Sequence, residues 1–216
     1  MTSQRAASRS VWLTTYAIAM GILESAVVVY LRELYYPSGF RFPLVELPQR
    51  LALIEICREV CTLVMLFTVA AIAARDRLDG FFVFGFLFGV WDLVYYAGLK
   101  LFVGWPASPW TWDVLFLIPL PWVAPVLAPI LVSLLLVAGY AAHAFARSRQ
   151  RCIRPHPTEW AVAGAGGIVV VGTLCWQSGS AATQTQMVGF PWMVFVLGVL
   201  VGIAPFLRAA TRALRA

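Results

Sequence analysis

Residues 11–31 read VWLTTYAIAMGILESAVVVYL. At 1.5 Å per residue this run makes a helix of about 32 Å, enough to cross the hydrocarbon of a bilayer. One residue does not belong in such a segment. Glu24 places a carboxyl group where an ionised side chain costs roughly 3 kcal/mol, so it needs a partner and marks a functional-site hypothesis. The same combination recurs twice. Residues 51–74 form an apolar run interrupted by Glu55, Arg58 and Glu59, and residues 81–103 form another interrupted by Asp92.

Working outward from these three runs, residues 114–140, 160–176 and 189–207 are also apolar enough to span, the fifth being the shortest and rich in glycine. The 216-residue chain is 61% hydrophobic and 12% charged, with a mean hydropathy of +0.82, against roughly 25% charged in a soluble domain. Six spans and their connections use nearly the whole length. The expectation is a single integral membrane domain over residues 1–216, all-α, a polytopic transmembrane helical bundle of about six spans.

The net charge of +6 would suit nucleic acid, but the basic residues are scattered through short connections with no soluble module to present them. Their distribution instead follows the positive-inside rule. Arg5, Arg9, Arg75, Arg77, Arg147, Arg149, Arg151, Arg154, Arg208, Arg212 and Arg215, eleven of the sixteen, fall on one side of a six-span arrangement. That side is predicted to be cytoplasmic, with both termini inside and the protein multi-pass in a bacterial cytoplasmic (inner) membrane. Arg5 and Arg9 before the first run resemble the start of a signal peptide, yet the run is long enough to remain as an uncleaved helix.

Depth then brings the charges together. Glu24 lies beyond the middle of an outward-running helix, and Glu55, Arg58 and Glu59 lie in the outer half of an inward-running one. Asp92 sits near the centre of the third, with Tyr95, Tyr96 and Lys100 above it, Lys100 by about 12 Å. Positions i, i+3 and i+4 share a helix face, so Glu55, Arg58 and Glu59 make one stripe and Asp92, Tyr96 and Lys100 another. Turning these stripes toward each other hides them from lipid and predicts a polar core among the first three spans. Its deep part holds four carboxylates, Glu24, Glu55, Glu59 and Asp92, against the single guanidinium of Arg58. One cation cannot offset four anions in a medium of low dielectric, so a proton or a bound cation is expected there.

The candidate ligand-binding residues are therefore Glu24, Glu55, Arg58, Glu59, Asp92, Tyr95, Tyr96 and Lys100, and the expected ligand is a cation, a proton or a cationic small molecule, bound or transported. An enzyme acting on a lipid or isoprenoid at the outer leaflet is the alternative, with a carboxylate as general base and Arg58 or Lys100 clamping an anionic headgroup, no particular catalytic residue being identified. An accessory or assembly subunit is the third reading. No metal site and no cofactor is expected, because the two histidines, His143 and His156, fall at the cytoplasmic end, as interfacial residues, away from the carboxylates. Cys57, Cys61, Cys152 and Cys175 lack metal-binding spacing and read as apolar fillers. Gly85 with Gly89 and Gly198 with Gly202 form GxxxG spacings, which raise the expectation of a homo-oligomer through those faces. Pro119, Pro121, Pro125 and Pro129 leave the fourth span either broken beside a cavity or irregular at its start.

Overall fold

A computed structural model describes residues 3–187 and 189–215 of the chain. Six helices account for most of it: α1 (Ser3–Tyr35), α2 (Gln49–Ala73), α3 (Arg77–Val103), α4 (Leu127–Ser148), α5 (Pro157–Leu174) and α6 (Trp192–Arg215). Five of them, all but α5, are long and apolar enough to cross a membrane. At about 1.5 Å per residue the eighteen residues of α5 reach only about 27 Å, slightly less than a typical hydrocarbon core. Large apolar side chains such as Leu53, Phe67, Ile72, Leu101 and Met193 lie exposed on the helix surfaces. On a soluble domain they would be an aggregation hazard, whereas in a membrane protein they are the face that lipid solvates.

Local chemistry sets several helix ends. The Asp76 side chain accepts the Asp79 backbone N–H at 2.9 Å and starts α3, and Gly104, at φ 69°, stops it in the left-handed conformation that glycine adopts without penalty. Pro157 occupies the first turn of α5, where its missing N–H costs nothing, and the Glu159 carboxylate accepts the His156 N–H at 2.8 Å.

The fourth predicted span is the main departure. Residues 114–125 are not helical; the chain instead forms an antiparallel hairpin of β1 (Trp112–Phe116) and β2 (Trp122–Pro125), and α4 begins only at Leu127. Pro119 and Pro121 lie in the turn, Pro125 closes β2, and Pro129 falls in the first turn of α4, where a proline is tolerated. The hairpin's non-helical backbone is enclosed by protein. Val123 and Ala124 are fully buried, and Phe116 and Trp122 pack at 5.4 Å into the same core as Leu87 and Trp91.

Helix α3 is the centre of the first half, packing on α1, α2 and α4. Its approach to α1 depends on small residues. A Cβ on Gly21 would stand 2.7 Å from the Trp91 carbonyl oxygen, and one on Gly98 would collide with Ser25 Oγ. Gly89 does the same toward α4, where a Cβ would meet the Ser133 carbonyl oxygen at 2.6 Å. The α5–α6 pair closes equally tightly, with Gly166 against Gly198 and Gly202. Gly85 and Gly89 face Leu136, Ser133 and Val137 of α4. All four glycines of the two GxxxG spacings thus pack against helices of this same chain.

Candidate functional site: a carboxylate-rich cavity roofed by the α1–α2 connection

The close packing of α1 on α3 brings their polar faces to one place, at the end of the bundle where α1 passes to α2. The polar faces of α1, α2 and α3, the α1–α2 connection and β1 line a half-open cavity of about 170 Å³. Glu24, Glu55, Arg58, Glu59, Asp92, Tyr95 and Tyr96 all line it. Lys100 does not. Two helical steps of four residues rotate it by about 80° from Asp92, and its ammonium donates to the carbonyls of Gly104 at 3.1 Å and Pro106 at 2.9 Å, capping α3 and anchoring the following loop.

Arg58 is the hub of the helical part. Its Nη1 donates to Glu24 Oε1 across from α2 to α1, and its Nε and Nη2 each lie 2.9 Å from Glu55 Oε2. Thr62 Oγ1 donates to the second oxygen of Glu24 at 3.4 Å. Glu59, on the same stripe, is bound differently: both of its oxygens accept the Leu117 backbone N–H, at 3.1 and 2.9 Å. Leu117 directly follows β1, so the carboxylate supplies the acceptor that a helix at this position would have found internally. Asp92, from α3, accepts Ser133 Oγ of α4 at 2.8 Å.

A second ion pair, not anticipated among the site residues, completes the wall. Arg32 Nη2 lies 2.8 Å from Asp113 Oδ1, with Asp113 1% exposed on β1. The Arg32 guanidinium also stacks on Trp105 at 3.8 Å and on Phe40 at 4.5 Å, an arrangement favourable to a planar cation. Asp113 stands at the end of an exposed-looking loop in the sequence, and no periodicity within a helix signals it; the hairpin carries it inward. Phe40, Leu44, Val45 and Leu47 of the α1–α2 connection roof the cavity. Leu44 N–H and Val45 N–H fix that connection to the Ala181 carbonyl and the Tyr36 hydroxyl, both at 2.8 Å.

The inventory is five carboxylates, Glu24, Glu55, Glu59, Asp92 and Asp113, against two guanidiniums, Arg32 and Arg58, around one small space. Each guanidinium is committed to an ion pair, while Glu59 and Asp92 are held by neutral donors only. Among the described residues, no three His, Cys, Asp or Glu side chains converge in an arrangement able to hold a metal ion. The cavity can therefore accept positive charge but does not present a pre-formed metal cage.

A separate polar cluster sits at the opposite end of the bundle. Asp79 lies 2.8 Å from Arg9 of α1, accepts the Arg75 N–H at 2.9 Å, and is 3.4 Å from His143 Nε2 of α4; Arg147 pairs with Asp76. His143 is 1% exposed and stacked on Phe82 at 4.4 Å, not interfacial as its place near the end of an apolar run implied, because α4 extends to Ser148 and packs that turn on α3. Outside the spans, the Asp79 N–H holds the Asp76 carboxyl below its ordinary range, and Arg212 with the His156 N–H lowers Glu159 to about 2. The cysteines are free thiols, with Cys57, Cys61 and Cys152 on the surface and not in the core. Comparison of the chain with protein-family models, curated proteins and solved structures finds no match.

Proposed function

We propose that the chain crosses a bacterial cytoplasmic membrane six times with both termini inside, and that it binds a cation or a proton in the outward-facing cavity as a step in its uptake. The observation that supports this is the five-to-two ratio of carboxylates to guanidiniums around the cavity. Uncompensated negative charge enclosed by protein is expensive, and a cation or proton entering the cavity is the simplest way to offset it. Glu59 and Asp92 are the receiving groups, since neither has a basic partner. Arg58 keeps Glu24 and Glu55 in register and lowers the charge the ligand must meet.

The reading as an enzyme acting on anionic lipids has less support: Lys100 is engaged with loop carbonyls and Arg58 with carboxylates, so neither of the two cations it invoked stands free to clamp a headgroup. The reading as an assembly subunit loses its GxxxG faces to internal packing.

The test is thermal unfolding of the purified protein in detergent, across pH and with sodium, potassium, magnesium and calcium, for wild type and Glu59→Gln. A melting temperature that rises on acidification or with one cation, and loses that response in the variant, is the expected result. A flat response in both proteins refutes the reading and leaves a closed ion network that packs helices.

A further inference from the structure

The end of the bundle opposite the carboxylate cavity carries a pocket of the reverse charge. It is open, about 610 Å³ in volume, and lined by Asp76 and Arg77 at the start of α3, Arg147 of α4, Arg154 of the α4–α5 connection and Trp160 of α5. Three guanidiniums from three parts of the chain thus face one carboxylate. Both Asp76 oxygens are already engaged, Oδ1 by the Asp79 N–H at 2.9 Å and Oδ2 by Arg147. Arg77 and Arg154 are exposed and form no ion pair among the described residues. Arg75, Arg149 and Arg208 at the same end also lack an ion pair, but they do not line this pocket. Convergence in a concavity is what separates the two groups, because charges of one sign around a low-dielectric cleft concentrate their field on whatever enters it.

Depth narrows the chemistry of the anion. Arg77 opens α3 and Arg147 lies in the last turn of α4, so the pocket sits where two membrane-length helices end, at the level of lipid headgroups. Phe81 lies one turn further along α3, about 6 Å deeper, on the same face as Arg77. It is 43% exposed and packs edge-on against Trp160 at 4.9 Å. Charged groups at the mouth therefore give way to an aromatic step and then to apolar helix surface. A phospholipid presents the matching order of phosphate, glycerol and acyl chain.

We propose that this pocket binds the phosphodiester of an anionic phospholipid, with Arg77 and Arg154 donating to its non-bridging oxygens and Arg147 adding charge while it stays paired with Asp76. The planar guanidinium fork suits phosphate oxygens, and the excess of two positive charges disfavours a headgroup that brings its own ammonium. The site is separate from the cation cavity, and neither reading depends on the other. A soluble phosphate ester shares the recognised group but has no acyl chain to follow the aromatic step.

The experiment is thermal unfolding of the purified full chain in dodecyl maltoside, titrated with dioleoyl phosphatidylglycerol, dioleoyl phosphatidylcholine or glycerol 1-phosphate. A ligand of the folded state raises the melting temperature as it saturates. Phosphatidylglycerol is expected to reach its half-effect at a concentration about fivefold or more below that of phosphatidylcholine. Arg77→Gln combined with Arg154→Gln should raise that concentration about 25-fold, at about fivefold for each guanidinium. Arg149→Gln combined with Arg208→Gln removes the same charge from the same end outside the pocket and should shift it far less. Equal shifts in the two double variants reduce the effect to diffuse surface charge and overturn the proposal, as does equal stabilisation by the two lipids. Glycerol 1-phosphate acting as strongly as phosphatidylglycerol also overturns it, in favour of a soluble phosphate ester. If the pocket double variant does not fold, Arg154→Gln alone, in a connection outside any helix, decides by its own shift of about fivefold.

Discussion

Arg58 offers the sharpest test of the site's architecture. Its guanidinium holds Glu24 on α1 and Glu55 on its own helix, and the three side chains are 22%, 11% and 8% exposed. Arg58→Met keeps the length and apolar stem but leaves two carboxylates facing each other without a cation. Breaking a buried ion pair by removing one partner costs about 3–5 kcal/mol, and because 22% of the Arg58 side chain remains exposed, about 2–4 kcal/mol is expected here. Glu24→Gln alone keeps an acceptor for Thr62 and removes one of the two charges Arg58 serves, at about 1–2 kcal/mol. In the double variant the charge that Arg58→Met orphans on α1 is gone, so the two losses should fall short of additivity by about 1–3 kcal/mol. The assay is SDS-induced unfolding in mixed micelles followed by tryptophan fluorescence, with the three variants and wild type forming a double-mutant cycle. An Arg58→Met protein within about 0.5 kcal/mol of wild type, or a strictly additive cycle, would refute the view that this guanidinium ties α1 to α2.

Three further outcomes follow from the fold. Gly98→Val forces β-branched bulk against Ser25 and should destabilise the protein by about 1–3 kcal/mol in the same unfolding assay, whereas Gly104→Asn, at a left-handed helix end that asparagine tolerates, should cost less. Glu159 is held at about 2 in the folded protein against an ordinary value of 4.5; a depressed carboxyl contributes stability above its unfolded pKa and loses it as pH falls through the folded one. Acid melting of wild type should therefore steepen between about pH 4.5 and 2, and Glu159→Gln should flatten that limb. In a variant whose other three cysteines are serine, Cys152, exposed in the α4–α5 connection, should react with a membrane-impermeant maleimide only after cells are permeabilised; its labelling in intact cells would invert the proposed topology.

What the sequence determined by itself was the all-helical, membrane class of protein, the position of most helices, and which polar faces meet. Hydropathy over a span-length window reports whether a segment is removed from water, and the 3.6-residue period reports which side chains share a face, so Glu24, Glu55, Arg58, Glu59, Asp92, Tyr95 and Tyr96 could be read as one cluster. Neither quantity reports backbone conformation or partners. Residues 114–125 are as apolar as a spanning helix but form a hairpin, whose Val123 and Ala124 are buried by the surrounding helices. That hairpin in turn decided what Glu59 binds, and it brought Asp113 to Arg32 inside the cavity. The GxxxG spacings announced close helix approach, yet whether the approaching helix came from this chain or another depended on α4 and α5 being within reach. Lys100 turned away for a similar reason: a rotation of about 80° from Asp92 is small on a helical wheel, but the carbonyls of Gly104 and Pro106 lay on its side, and a long flexible ammonium goes to the nearest free acceptors.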